Sequence, residues 1–285
     1  HLSRRNTLEG SKKNIAEHYD LGNDFYGQWL DPSMTYSSAV FTSGDQSLEE
    51  AQLAKYRRVA DMAGVTPGSS VLEIGCGWGG FAEAAARRGL RVDAITLSSE
   101  QERAVNDRIA SAGLSGVTVA RTDYRDVTGT YDGVASIEMV EAVGQDYWGT
   151  YLAAIARALK PGGRAAIQYI TIDDAIFEAY ASNVDFIQRF VFPGGMLLSE
   201  SRFRALAEAH GLAWQDNRSL GLHYAETLRR WRIAFEAAVD AGRLPAKFDS
   251  KFVALWRYYL MYCEGGFSGQ GIDVAQVTLV KADAL

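Results

Sequence analysis

The segment VLEIGCGWGG (71–80) carries the clearest chemical signal in the chain, because four glycines join an apolar, strand-like run to a helix-like run. Glycine permits a tight turn and lets a ligand approach the backbone, which is typical of a nucleotide-cofactor loop. The spacing is GxGxG, and the position about 20 residues further on holds Thr96 and Ser98 instead of the acidic residue that a dinucleotide fold needs. With the amide Gln101 nearby for ribose hydroxyls, the pattern favours S-adenosylmethionine over NAD. A purely structural turn is the alternative.

Two glutamates, Glu138 and Glu141, stand in IEMVEAVG (137–144), directly after the apolar run YDGVAS. A carboxylate at the end of a parallel strand has two common uses. It starts a helix, where the helix dipole favours a negative charge, or it belongs to a reaction centre. The residues alone leave both uses open.

Strands and helices must alternate to position these residues. The apolar runs are continuous, as in a parallel sheet buried on both faces. We predict an α/β fold with a seven-stranded, mostly parallel sheet, an N-terminal helical lid over 1–46, a methyltransferase-type domain over 47–285 and an apolar helical insertion around 173–197. Strands are predicted at 70–75, 91–97, 117–121, 131–137, 164–172, about 213–219 and 275–281. Helices are predicted from Ser11 and at 47–64, 80–89, 98–113, 147–159, 199–211 and 222–266.

Composition excludes several classes of function. A net charge of −6 argues against a nucleic-acid binder. The two cysteines, Cys76 and Cys263, lie far apart without metal-ligand spacing, so we expect no metal site and no disulfide. No apolar run is long enough to span a membrane. A cytoplasmic location is therefore expected.

Ten segments of the chain resemble the family of cyclopropane-fatty-acyl-phospholipid synthases, which includes the mycolic acid cyclopropane synthases. They occur in family order over nearly the whole chain, and a generic methyltransferase would lack HYDLGNDFY and FVFPGG. The segments are HYDLGNDFY (18–26), LDPSMTYSSAVF (30–41), LEEAQLAK (48–55), VLEIGCGWGG (71–80), ITLSSEQ (95–101), DYRD (123–126), FVFPGG (190–195), HYAETLRRW (223–231), YLMYCEGGF (259–267) and QVTLVK (276–281).

The resemblance implies a Rossmann-like class I methyltransferase fold and transfer of the S-methyl group of S-adenosylmethionine to a cis C=C bond of an acyl chain. A carbocation then forms, and loss of a methyl proton closes a cyclopropane ring. By resemblance, nine residues bind the cofactor: Tyr36, Ser37, Gly75, Gly77, Thr96, Leu97, Gln101, Asp123 and Tyr124.

In the resembling family a bound bicarbonate accepts the proton. The resemblance assigns its surroundings to five catalytic residues: Glu141, Tyr259, Ile170, Ser38 at a position usually cysteine, and Gln168 at a position usually histidine. Ala142 replaces a further histidine, and Glu138 stands where glycine is common. A carboxylate about 4 Å from a cation, at an effective dielectric constant of about 20, contributes about 4 kcal/mol. The resemblance gives that role to Glu141, and for Glu138 we favour a structural role, with a place at the altered site as the alternative.

These departures leave two outcomes open: ring closure with a retained or water-supported bicarbonate, which we favour, or loss of a different proton, or use of a diene, to give a methyl-branched or methylene chain. The partner implied is an unsaturated phospholipid acyl chain, reached by transient contact with the inner face of the membrane; a homodimer is left open. The insertion supplies the expected acyl-binding residues: Phe177, Tyr180, Phe186, Phe190 and Phe192. A small-molecule methyltransferase and a lipid-binding protein without catalysis are the rival functions.

Overall fold

A computed structural model describes residues 21–283 of the chain. The predicted helix from Ser11 and the first part of the predicted lid lie outside the described residues. All statements below concern residues 21–283.

Seven strands form one sheet in the order β3-β2-β1-β4-β5-β7-β6. β7 is antiparallel to both of its neighbours, and the pairs formed by the first five strands are parallel. The predicted seven-stranded, mostly parallel sheet is confirmed. The strands are β1 Ser70–Ile74, β2 Arg91–Thr96, β3 Val117–Arg121, β4 Tyr131–Ile137, β5 Leu159–Ile172, β6 Leu212–Ser219 and β7 Ile272–Lys281.

Helices cover the sheet, and their ends follow local capping chemistry. The second helix, for example, begins with a capping box in which Ser47 and Glu50 satisfy each other's backbone N–H groups. Its start is where the sequence predicts it. The helices are α1 Asn23–Tyr26, α2 Leu48–Met62, α3 Gly80–Arg87, α4 Ser99–Ser111, α5 Trp148–Ala158, α6 Phe177–Ala181, α7 Phe186–Phe190, α8 Glu200–Ala209, α9 Gly221–Asp240 and α10 Ser250–Ser268.

The single helical stretch predicted over 222–266 is wrong, because the chain forms two helices there, α9 and α10. Gly242 adopts a left-handed φ of 63° just after α9, which ends a helix. Pro245 follows in the connecting loop. It has no backbone N–H, so it cannot donate the hydrogen bond that would continue a helix. The two helices run antiparallel and are bridged by the ion pairs Arg232–Glu264 and Arg257–Glu236.

The described part of the predicted lid packs onto this helix pair. Phe25, Tyr26 and Trp29 are buried in one apolar cluster with Trp231 of α9 and Trp256 of α10. The rings meet mainly in edge-to-face or tilted geometry, as aromatic quadrupoles prefer. This cluster holds the segment from Met34 to Ser38 against the carboxyl ends of the strands.

Candidate active site

A cavity of about 160 Å³ lies at the carboxyl ends of β1 and β2. All nine residues predicted to bind the cofactor line this one cavity. They come from the lid, the glycine loop, the end of β2, the first turn of α4 and the turn after β3. The structure thus brings together every position that the resemblance assigned to S-adenosylmethionine.

The glycine loop can be built only with glycine at Gly75. Its φ of 82° is left-handed, and an added Cβ would lie 2.6 Å from Cγ of Met139. A side chain there would be strained and would also clash. The loop therefore keeps its backbone bare where it faces the cavity.

The polar groups of the cavity fit S-adenosylmethionine. The Thr96 hydroxyl donates to Oε1 of Gln101 at 2.7 Å, which leaves the Gln101 amide NH2 as the group that can donate to a ligand. Oε2 of Glu73 is buried in the wall and has no hydrogen-bond partner among the described residues. Burial raises the pKa of Glu73 to about 8. A ligand with hydroxyl and ammonium donors would satisfy such a group.

A second, larger cavity of about 660 Å³ adjoins the first. Its walls are mainly apolar and come from β5, the insertion, α9 and α10. Tyr36, Glu138 and Ala142 line both cavities, so they mark the junction between them. A methyl group passing from one cavity to a ligand in the other must cross this junction.

Glu138 lies at the junction with three hydrogen-bond donors on its carboxylate. Oε1 accepts from the backbone N–H of Ser38 at 2.8 Å and from Nε2 of Gln168 at 2.7 Å. Oε2 accepts from the hydroxyl of Tyr224 at 2.8 Å. Ser38 and Gln168, two of the residues predicted to surround a bicarbonate, therefore already hold a carboxylate of the protein.

Glu141 lines only the larger cavity and has fewer partners. Its Oε1 accepts from the backbone N–H of Ile170, and its Oε2 is buried without a hydrogen-bond partner among the described residues. Burial, together with the charge of Glu138, raises the pKa of Glu141 to about 8. The predicted contact with Ile170 is present, but the burial of Glu141 favours its protonated form.

Two tyrosines complete the polar part of the larger cavity. The hydroxyls of Tyr36 and Tyr259 lie 2.8 Å apart. Both rings contact Phe192, with centroid distances of 6.2 and 6.3 Å. All five predicted catalytic residues thus gather around Glu138 and the larger cavity.

The predicted acyl-binding residues divide into three groups. Tyr180 and Phe192 line the larger cavity. Phe186 and Phe190 lie beside it in a surface group of aromatic residues. Phe177 does not line the cavity, because it is fully buried against Trp148 in the core under the sheet.

Sequence reasoning missed Lys55 and Tyr224 and undervalued Glu138. Lys55 is fully buried, and its ammonium donates to the Ser37 hydroxyl at 2.5 Å. Burial lowers the pKa of Lys55 to about 7, although attraction to Glu138 opposes that shift. The sequence signals for this group were a glutamate at a position where the resembling family commonly has glycine, and the presence of Lys55 and Tyr224 in two of the matching segments.

Residues 21–283 give no indication of a metal centre or of a membrane-spanning helix. No group of three or more His, Cys, Asp or Glu side chains in this range could hold a metal ion. No helix in the same range is long and apolar enough to cross a membrane.

Comparisons with known proteins agree with this geometry. A family model described as mycolic acid cyclopropane synthetase matches residues 6–277. Tuberculostearic acid methyltransferase of Mycobacterium tuberculosis is 44% identical over 280 residues, which cover 95% of this chain and 65% of that protein. Cyclopropane-fatty-acyl-phospholipid synthase of Escherichia coli is 36% identical over 267 residues, which cover 93% of this chain and 67% of that protein. The chain thus spans about two thirds of the length of these relatives.

Solved structures give the same result. A mycolic acid cyclopropane synthase complexed with SAH and CTAB superposes with a TM-score of 0.89 at 31% identity, over 95% of this chain and 98% of that one. A coclaurine N-methyltransferase superposes with a TM-score of 0.76 at 20% identity, which shows the shared fold alone.

Proposed function

Because the chain belongs to the mycolic acid cyclopropane synthetase family of S-adenosylmethionine-dependent methyltransferases, we propose that it methylates a C=C bond in an unsaturated acyl chain of a phospholipid. The observation that carries the proposal is the junction, where a polar cofactor cavity opens into a larger apolar cavity. S-adenosylmethionine supplies an electrophilic methyl group. The protein must present the alkene to that group and protect the cation that results.

The residues at the junction suit that task. An alkene is a weak nucleophile, so the site must be dry and its walls must tolerate positive charge. The rings of Tyr36, Phe192 and Tyr259 lie together at the larger cavity, and aromatic faces attract cations. About eight methylenes buried against such walls, at roughly 0.8 kcal/mol each, give about 6 kcal/mol of binding free energy.

Of the two possible endings, we place the open-chain product first. The donors of Ser38 and Gln168 bind Glu138, which removes the support for a bicarbonate at that place. The relative at 44% identity is named for tuberculostearic acid, not for cyclopropanation. A methylene or methyl-branched acyl chain is the product that these two observations support.

Ring closure is the second candidate. Relatives at 36% and 32% identity are named cyclopropane synthases. Both endings that remove a proton from the added methyl group give products of the same mass, so mass alone does not separate them.

Lipid analysis tests the proposal. Cells expressing the chain are fed methionine with a deuterated methyl group, and their acyl chains are analysed by gas chromatography–mass spectrometry before and after mild hydrogenation. An added carbon that carries the label supports methyl transfer. Uptake of hydrogen identifies an open-chain alkene, in which two retained deuterium atoms mark a methylene group and three mark a methyl branch, and resistance to hydrogenation identifies a ring. The proposal would be overturned if acyl chains remained unlabelled both in the cells and in lipid incubated with the purified protein and labelled S-adenosylmethionine.

The substrate would be reached at a membrane surface. We define the aromatic patch as Phe186, Phe190, Tyr258, Met261 and Tyr262. Phe190, Tyr258 and Met261 are each more than half exposed, and Tyr262 also lines the larger cavity. The guanidinium of Arg189 lies 5.4 Å from the Phe190 ring and adds a positive charge for anionic headgroups. An exposed apolar group continuous with an acyl cavity is suited to draw a lipid chain from a bilayer.

A further inference from the structure

Glu138 places a carboxylate of the protein itself at the junction of the two cavities. We propose that this carboxylate is the proton acceptor that completes the reaction, so that turnover needs no bicarbonate. The inference rests on the proposed function and names the base of that site.

The position of Glu138 is the first support. It is one of the three residues that line both cavities, so its carboxylate lies next to the place where a methyl group would be transferred. Of the other two, Ala142 has no proton acceptor and Tyr36 is a phenol bonded to Tyr259. Glu138 is therefore the only carboxylate among the described junction residues.

The hydrogen-bond pattern shows that Glu138 acts as an acceptor. Arg58 can only donate, and its Nε donates to Oε1 of Gln276 at 2.6 Å. This contact fixes the Gln276 amide, whose Nε2 donates to Oε1 of Gln168 at 2.8 Å. The Gln168 amide is fixed in turn, so its NH2 group must point at Glu138. A relay that starts at a permanent cation thus ends on a carboxylate oxygen.

The remaining donors agree with an ionised carboxylate. The Ser38 N–H can only donate, and burial holds the pKa of Tyr224 well above its usual range, so its hydroxyl keeps its proton. Oε1 receives two donors, whereas Oε2 receives only the Tyr224 hydroxyl among the described residues. A proton is therefore most easily accepted at Oε2, with the Tyr224 hydroxyl turning to receive it.

Backbone strain at Glu138 is an independent observation. Its φ of 50° lies in the left-handed region, which glycine or asparagine normally occupies. A glutamate held there is strained and is retained where the surroundings over-determine its conformation. A structural role at the start of a helix would not require that conformation.

The charges around the site favour one anion at Glu138. The neighbouring Glu141 has its pKa raised to about 8, and Lys55 attracts Glu138 from the other side. A second anion, such as bicarbonate, next to an ionised Glu138 would be repelled by it. It would also find the donors of Ser38 and Gln168 already occupied.

The proton transfer balances without a further reactant. After the alkene π pair has formed a bond to the transferred methyl carbon, the acyl chain carries one positive charge. For ring closure, Glu138 accepts a proton from the added methyl group, and the C–H electron pair forms the bond to the cationic carbon. For a methylene product, a hydride first moves from the methylated carbon to the cationic carbon; Glu138 then accepts a methyl proton, and the C–H electron pair becomes the new C=C bond. The acyl product is then neutral, and the Glu138 carboxyl group loses its proton to solvent when the product leaves.

Three measurements test this role on purified protein with vesicles of unsaturated phosphatidylglycerol. The first compares wild-type turnover in CO2-depleted buffer with turnover after bicarbonate is added; we expect no difference. The second uses Glu138→Gln, which keeps the shape but cannot accept a proton at neutral pH. We expect kcat to fall about 100- to 10,000-fold, as for loss of a general base, while S-adenosylmethionine binding measured by calorimetry stays within a few-fold. Glu208→Gln, on the surface of α8, is the matched control with unchanged kcat.

The third measurement uses Glu138→Gly, whose backbone fits a left-handed φ without strain. We expect this variant to be inactive in CO2-depleted buffer and to regain activity when bicarbonate or formate is added, because the small anion fills the vacated place. If Glu138→Gln does not fold, this variant and the wild-type measurement still decide the question.

Other results would overturn the inference. These are wild-type turnover that falls when CO2 is removed, Glu138→Gln turnover within tenfold of wild type, or Glu138→Gly turnover that needs no added anion. Methylated lipid from wild type together with any of these defeats only the role of Glu138. Absence of methylated lipid from wild type defeats the proposed function itself.

Discussion

The cofactor cavity and the larger cavity, which we propose holds the acyl chain, are built in different ways. The cofactor cavity is formed largely by short segments at the ends of consecutive strands. Every residue that was predicted to bind the cofactor lines this cavity. The acyl side draws on Ser38 from the lid, Gln168 from β5 and Tyr259 from α10, which are far apart in the chain. Ser38 and Gln168 meet at Glu138, which the resemblance left unassigned, and Tyr259 lines the same larger cavity. A loop motif fixes its own geometry, whereas a site assembled from distant segments can change its chemistry through one side chain.

The largest effect that tests this comparison is expected at Gly75. Gly75→Val adds a side chain at a left-handed φ and into Met139. Strain of about 1–3 kcal/mol corresponds to a weakening of S-adenosylmethionine binding by up to about 100-fold. Isothermal calorimetry measures it. Gly44→Val is the control, because an added Cβ there meets nothing within 4 Å. Unchanged affinity in Gly75→Val would show that the cofactor loop is less constrained than its backbone indicates.

The dependence of kcat on pH tests the acyl side. Burial raises the pKa of Glu138, and Lys55, Gln168 and Tyr224 oppose that shift. The proposed proton transfer needs the ionised form of Glu138. The value of kcat should therefore fall about tenfold per pH unit once the pH drops below that raised pKa. Glu141, whose pKa is raised to about 8, is protonated over the same range and does not replace it. Rate profiles with saturating substrates measure the effect, and an acid limb that persists in Glu138→Gln would contradict the assignment.

A smaller effect is expected from the relay that orients Gln168. Gln276→Met keeps the volume but removes both the acceptor of Arg58 and the donor to Gln168. We expect kcat to fall about tenfold, equivalent to about 1.4 kcal/mol, with cofactor affinity unchanged. Thr278→Val is the control in the same strand, because the Thr278 hydroxyl is buried without a partner among the described residues. Equal turnover in Gln276→Met and Thr278→Val would show that the hydrogen-bond relay does not affect the reaction.

An effect of similar size is expected at the aromatic patch, on membrane binding instead of on turnover. Phe190→Ser combined with Met261→Ser removes two side chains that are each 54% exposed. Binding to anionic vesicles should weaken by about tenfold, because apolar area leaves the bilayer interface. Co-sedimentation measures binding. Leu222→Ser, at a side chain that is 63% exposed outside the patch, is the control. If the control weakens binding as much, the patch is not the docking surface.

The elements of the fold could largely be predicted because their signals are local. The capping box at Ser47 and Glu50 and the left-handed glycine at Gly75 are readable from neighbouring residues. The break between α9 and α10 was missed although Gly242 and Pro245 stand in it, because the surrounding apolar pattern continues on both sides. The family resemblance then supplied the sites that periodicity cannot indicate.

Aromatic residues in the insertion show where such prediction ends. Phe177 and Phe192 have the same side chain and lie in the same apolar segment. The structure places Phe177 in the core and Phe192 in the wall of the larger cavity. Both environments reward burial of apolar area equally, so sequence alone cannot separate a core wall from a cavity wall.

The sequence by itself determined the succession of strands and helices along the chain and the bare glycine loop, because these depend on local backbone preferences. The family resemblance indicated the segments that meet at the site. The tertiary structure alone decided which of the two glutamates in IEMVEAVG receives more hydrogen-bond donors. That depends on donors from Ser38, Gln168 and Tyr224, which arrive at Glu138 and not at Glu141. A carboxylate's ionisation is set by the groups that surround it in space.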